Sequence, residues 1–304
     1  MKIAKLQGLV AATHTPFHPD GSLNLDVVET QAAHLLKNRV ETAFIGGTTG
    51  EWSSLTLEER GALAVRWLEV ARGSALKIIV HVGANALAES RQLAQQAQQL
   101  GAIAVSALAP SYFKPAHVGL LVESMAEIAG AAPDLPFYYY EIPSLTGLTL
   151  SPSAFLAQGA ERIPNLAGIK FTSSNLMEYQ LCAALNDQQF DIPFGFDEML
   201  LAGLSLGAVG AVGSTYNFAA PIYHRLMEAF AAGDIQTARK EQFQSVQLVS
   251  SLVKRGFMAS AKAVMKMLGV EVGPARLPNG KLSAEEQSAL RSDLEKLGFF
   301  NWVS

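Results

Sequence analysis

The chain reads as a (β/α)8 barrel carrying a C-terminal helical extension. Three observations predict it. Eight short apolar or β-branched runs alternate with one-sided helical patterns across residues 8–231, the order of a barrel rather than of a sandwich or bundle. The length of 304 residues suits one such barrel with something added. Beyond residue 232 the pattern turns helical and carries no strand signal.

The strands expected, in order, are Gly8–Thr15, Thr42–Thr48, Lys77–Val82, Ala102–Leu108, Pro136–Ile142, Gly168–Thr172, Ile192–Phe196 and Ala208–Gly213. Between them, Leu57–Ala71 places apolar residues at 57, 63, 64, 67, 68 and 71, a single stripe at helical spacing. Ala86–Leu100, Val118–Ala132 and Asn217–Ala231 behave alike, and Leu176–Leu185 reads as a further helix. The barrel is assigned to 1–232 and the extension to 233–304, with helices over 234–254, 258–268 and 283–297. Turn residues from Gly273-Pro274 to Pro278-Asn279-Gly280 mark a loop. A doubly wound open sheet is the competing fold. It would bring Gly-x-Gly-x-x-Gly between a strand and a helix, and Gly207, Gly210 and Gly213 have the wrong spacing.

Composition narrows the function classes. A 49% hydrophobic and 16% charged chain is that of a soluble protein with a substantial core. The net charge of −4 leaves no basic footprint for nucleic acid. Apolar stretches such as 200–213 are broken by glycine and are too short to span a membrane. The start, Met1 to Gly8, leads into a strand without a signal-peptide pattern. Cys182 is the single cysteine, so no internal disulfide forms, which suits the cytoplasm. Its place in a helix reads as small apolar packing rather than a nucleophile. The six histidines do not pair at metal-ligand spacing, and neither metal nor cofactor is expected.

Lys170 stands out. It interrupts the apolar run Ala167-Gly-Ile-Lys-Phe-Thr172, where strand alternation puts Gly168, Lys170 and Thr172 on one face. A lysine at a strand end commonly snorkels its ammonium to water. The barrel order changes that reading, because alternate strand residues point inward and active sites lie at the strands' C-terminal ends. A desolvated amine there is a nucleophile toward a ketone, forming a Schiff base. Tyr138-Tyr139-Tyr140 ends the fifth strand beside it. Tyr138 and Tyr140 share a face while Tyr139 faces the helices, so Tyr140 can approach Lys170 and shuttle a proton. Gly46-Gly47-Thr48-Thr49-Gly50-Glu51 follows the second strand, where glycines expose N–H groups beside two hydroxyls, a good seat for a carboxylate. Asp197 and Glu198 end the seventh strand and Ser214 the eighth. They read either as partners of a polyhydroxylated substrate or, for the acids, as a helix cap. The acidic pair argues against a phosphate at that rim.

Together the motifs resemble the pyruvate-dependent class I aldolases, the dihydrodipicolinate synthase and N-acetylneuraminate lyase family. The resemblance rests on Gly46 to Glu51, on Tyr140-Glu141-Ile142-Pro143 with Thr146-Gly147, and on Gly168-Ile169-Lys170, in that order. It extends from Leu6-Gln7-Gly8 to the loop near Pro274 and is strongest on the lyase side. It implies that Lys170 forms the Schiff base and that Tyr140 is the general acid/base. It implies that Thr48 and Thr49 hold the substrate carboxylate, with Thr49 also linked to Tyr140. Thr172, Gly195, Asp197, Glu198 and Ser214 match positions that meet sugar hydroxyls. Tyr112 is similar to a tyrosine that reaches a neighbouring subunit's site, and relatives are commonly homotetramers. The implied reaction is reversible cleavage of sialic acid to pyruvate and N-acetylmannosamine. Two departures bear on substrate. The synthases carry an arginine where this chain has Leu145, and an apolar side chain cannot replace a bidentate guanidinium. Glu141 stands where a His or Asn is usual in the lyases, on the face away from Tyr140. The alternatives are an aldolase for another 2-oxo-3-deoxy sugar acid, and a non-catalytic barrel that binds an oxo acid.

Overall fold

In the computed structural model, which describes residues 5–304, seven strands form one parallel sheet. They are β1 (Gly8–Ala12), β2 (Thr42–Ile45), β3 (Lys77–His81), β4 (Ala104–Leu108), β5 (Phe137–Glu141), β6 (Leu166–Phe171) and β7 (Gly210–Gly213). Met1 to Ala4, the first half of the stretch expected to lead into β1, lie outside the described residues. The strand order is β6-β5-β4-β3-β2-β1-β7. Residues 191–196 close the ring between β6 and β7, which makes the architecture a (β/α)8 barrel.

That closing segment was expected as a full strand, Ile192–Phe196, and forms only single bridges. Asp191 N–H donates to Ala167 (3.0 Å) and Gly195 N–H to Phe171 (2.7 Å), while Phe194 N–H reaches Gly210 (3.0 Å) on the other side. Between the first two, the donor due from residue 193 is missing because Pro193 has no N–H. The segment also approaches β6 very closely. A Cβ on Gly168 would collide with the Asp191 carbonyl, so glycine is required there.

A register shift between β5 and β6 matters for the site. Phe137 pairs with Leu166 but Tyr138 pairs with Gly168, so Ala167 is an extra residue in β6. This bulge turns both Ala167 and Gly168 inward and keeps Lys170 in register with Tyr140. The inward side chains, including Val10, Phe44, Ile79, Leu108, Tyr138 and Val212, pack as a core of their own. Outward residues such as Ile169, Phe171 and Tyr139 pack with the helices in the larger core. Tyr139 faces the helices as alternation requires, its ring 4.6 Å from that of Phe155.

The helix at Leu57–Ala71 matches its expected bounds, fixed by a Thr56–Glu59 capping box. Two barrel helices, Val27–Lys37 and Pro152–Arg162, were not among those expected; the second begins with Ser151 as cap and Pro152 in the first turn. The C-terminal helices are Ile235–Val253, Phe257–Met267 and Ala284–Leu297, and the first packs on the barrel helix Tyr216–Ala231. Among the described residues no helix is long and apolar enough to cross a membrane.

Candidate active site

Lys170 lies at the C-terminal end of β6, 4% exposed, inside the barrel mouth. Its Nζ stands 3.5 Å from the centre of the Tyr140 ring and 5.2 Å from that of Phe44. Thr172 Oγ1, at 3.5 Å, is a long hydrogen-bond acceptor for it. The amine is therefore bounded by aromatic faces and one hydroxyl, with no carboxylate ion-paired to it among the described residues. Tyr140 is pinned from three sides. Phe44 meets its ring edge-on at 5.8 Å, His81 does so at 5.9 Å, and its hydroxyl lies 3.3 Å from Thr48 Oγ1. His81 bonds to the Gly46 carbonyl through Nδ1 at 2.9 Å. Burial, helped by the nearby Arg60 guanidinium, holds its pKa far below the ordinary imidazole value, so it is a neutral wall.

The loop after β2 differs from expectation in one connection. The resemblance implied a Thr49–Tyr140 link, but Thr48 makes that contact. Thr49 turns instead toward the loop after β7, its Oγ1 2.6 Å from Ser214 Oγ. The reason is the direction of adjacent side chains on a tight loop, one toward β5 and the next toward β7. The two threonines thus tie together opposite walls of the mouth.

The wall after the closing segment is built on Asp197, which is buried (6% exposed). It does not cap the turn that follows. Its Oδ2 accepts from the Thr215 backbone N–H (2.7 Å) and from Thr215 Oγ1 (2.6 Å). Burial pushes its pKa up to about 6, against the pull of the two Thr215 donors. Glu198, next in sequence, is half-buried at the rim, as are Gly195 and Ser214. Gly195 lies so close to Thr172 that any Cβ would strike the Thr172 hydroxyl. Thr172 thus touches both Lys170 and Gly195, and Ser214 joins the same wall to the glycine loop through Thr49.

Glu141 faces the helices, as alternation predicted, yet it is 7% exposed and its Oε2 has no partner. Burial raises its pKa to about 7, and Glu178 adds to the rise, while a backbone hydrogen bond involving Thr172 opposes it. The folded state therefore favours the protonated acid. The penalty for charging it is absent below the ordinary carboxyl value of 4.5 and complete above about 7. Glu141→Gln should thus stabilise the protein by roughly 2–3 kcal/mol near pH 8, and by less than about 1 kcal/mol near pH 5. Thermal melts at the two pH values measure it; equal shifts at both would contradict the burial argument.

The remaining candidates fall outside the mouth. Tyr112 is 81% exposed on the loop after β4, its ring set edge-on to Phe113, itself 85% exposed. Cys182 is buried, and burial raises its thiol to about 12, which removes it as a nucleophile. Among the described residues no cluster of three His, Cys, Asp or Glu side chains is placed to hold a metal ion. Sequence reasoning did not single out Phe44, Thr215 or Lys262. The last was visible as one charge on the buried face of Phe257–Met267.

Residues 5–297 match the model of the dihydrodipicolinate synthetase family. The chain is 40% identical over 303 residues to the N-acetylneuraminate lyase of Pongo abelii, covering 98% of this chain and 95% of that one. The solved N-acetylneuraminate lyase of Proteus mirabilis superposes with a TM-score of 0.94 at 40% identity, over 97% of this chain and all of the other. The lyase of Aliivibrio salmonicida gives 0.95 at 40% identity over 98% of each. With its barrel, its buried lysine and these matches, the chain belongs to the dihydrodipicolinate synthetase family.

Proposed function

We propose that this protein is a Schiff-base lyase that reversibly cleaves N-acetylneuraminate to pyruvate and N-acetylmannosamine. The observation that carries the reading is the Lys170–Tyr140–Thr48 group. It is a buried amine 3.5 Å over a phenol ring whose hydroxyl is 3.3 Å from a threonine on the glycine loop. The kinship to N-acetylneuraminate lyases supports the choice of substrate. So does Leu145, 63% exposed in the short helix Pro143–Thr146, which offers no charge for a second carboxylate.

In this mechanism the Lys170 amine attacks C2 of the open-chain sugar acid, and loss of water gives an iminium. Thr48, Thr49 and loop N–H groups hold the carboxylate, which fixes C2 in front of the amine. Tyr140 takes the proton from the C4 hydroxyl as the C3–C4 bond breaks and its electrons flow into the iminium. The resulting enamine is protonated at C3 and hydrolysed, releasing pyruvate. Thr172, Gly195, Asp197, Glu198 and Ser214 receive the sugar hydroxyls. No metal or cofactor takes part. The protein acts in the cytoplasm as a homotetramer, in which the exposed Tyr112 reaches a neighbouring subunit's site.

Pyruvate with borohydride tests the chemistry. Reduction of the imine should leave a stable adduct on Lys170, located by peptide mass. An adduct on another lysine would remove Lys170 from the mechanism, and no adduct would defeat the Schiff-base reading and leave a binding barrel. A panel of 2-oxo-3-deoxy sugar acids then tests the substrate, with N-acetylneuraminate expected to give the highest kcat/KM.

A further inference from the structure

We propose that the C-terminal extension positions the carboxylate-holding loop of the active site through a buried ion pair, Lys262–Glu51. The proposal rests on the aldolase reading above. Glu51 directly follows Thr48, Thr49 and Gly50, and its backbone is left-handed (φ 55°) although it is not glycine. Such a conformation persists only where the surroundings hold it. Its side chain is fully buried, with Oε1 2.7 Å from Lys262 Nζ, itself 2% exposed.

Lys262 comes from the helix Phe257–Met267, outside the barrel. Beside this ion pair its ammonium donates to the Thr15 carbonyl (2.9 Å) and to the Pro274 carbonyl (2.9 Å). Thr15 in turn donates its hydroxyl to the Gly50 carbonyl at 2.6 Å. The other Glu51 oxygen accepts from the Arg276 backbone N–H (2.8 Å) and Asn279 Nδ2 (3.2 Å). Three residues of the extension, 262, 276 and 279, thus converge on one loop residue, two positions after Thr49. Burial pushes Lys262 down to about 8, and Glu51 opposes that fall. Neither side chain touches the space in front of Lys170, so both are positioning residues. The extension grips the opposite wall as well. Gln242 Nε2 donates to the Asp197 carbonyl at 3.2 Å, and the Tyr223 hydroxyl joins Thr215 (2.6 Å) to Ser245 (2.8 Å).

Removing one member of a buried pair strands the other charge and threatens folding. The informative variant is therefore the neutral pair Glu51→Gln/Lys262→Met, read beside Glu51→Gln alone. A cavity of about 510 Å³ bordering Lys262 gives the methionine room. The readout is the pyruvate concentration that half-saturates borohydride trapping on Lys170, together with KM and kcat for N-acetylneuraminate. A displaced loop loses ground-state grip on the carboxylate, so half-saturation and KM should rise about tenfold or more while kcat falls less than about threefold. Arg255→Met is the control. It breaks a 2.8 Å pair with Asp293 within the extension and should lower Tm without changing pyruvate affinity. Folded variants that bind pyruvate within about twofold of the parent would overturn the proposal, as would an equal loss in Arg255→Met. Absence of an adduct in the parent protein is a different failure, that of the aldolase reading itself.

Discussion

Lys170→Ala should abolish turnover of N-acetylneuraminate, lowering kcat by at least about 10⁴-fold. The size follows from what the nitrogen does. Cleaving the C3–C4 bond pushes an electron pair toward C2, and a neutral ketone accepts it far less readily than an iminium. No neighbour can substitute. The next side chains to Nζ are the Tyr140 ring at 3.5 Å, Thr172 Oγ1 at 3.5 Å and the Phe44 ring at 5.2 Å, none of them an amine. The variant should fold, because Lys170 is ion-paired to nothing among the described residues and its removal leaves no buried charge without a partner. Circular dichroism checks the fold, and pyruvate with borohydride should give no adduct. Near-native turnover in a folded Lys170→Ala protein would sink the covalent mechanism. Loss of the adduct with turnover retained would sink it equally.

Strand periodicity is why the pairing of Lys170 with Tyr140 was legible in the sequence. Two inward residues at the ends of adjacent parallel strands must be neighbours, whatever lies between them in the chain. The pairing survives even the extra Ala167 in β6, because Tyr138 resumes register with Gly168 and Tyr140 with Lys170. The closing strand was less legible because its apolar letters hide Pro193, which breaks the ladder without breaking the barrel. Hydroxyl partners were not legible at all. Whether Thr48 or Thr49 meets Tyr140 depends on a side-chain direction in a loop, which no periodicity fixes. Asp197 likewise read as a substrate partner or a helix cap, and no pattern announced that Thr215 holds its carboxylate. The Glu51–Lys262 pair joins residues far apart in the chain, and neither local pattern contains the other.

Tyr140→Phe should separate two steps that Lys170→Ala removes together. The phenol ring contributes a flat wall against Lys170, and phenylalanine keeps it, along with the edge contacts to Phe44 (5.8 Å) and His81 (5.9 Å). Only the hydroxyl is lost, and with it the 3.3 Å contact to Thr48. Imine formation with pyruvate needs the amine and the carboxylate seat, so trapping should slow by less than about tenfold. Carbon–carbon cleavage needs a base at the C4 hydroxyl, and kcat for N-acetylneuraminate should fall by roughly 10²–10⁴-fold, the usual contribution of a placed general base. His81 is a poor substitute, because burial and the nearby Arg60 guanidinium hold its pKa far below the ordinary imidazole value. Rapid quench with sugar acid and borohydride reads the difference directly. The variant should accumulate the uncleaved sugar on Lys170, where the parent accumulates the pyruvate adduct. Equal slowing of both steps would make Tyr140 a wall and a support for Thr48, and would move the proton to another group in the mouth.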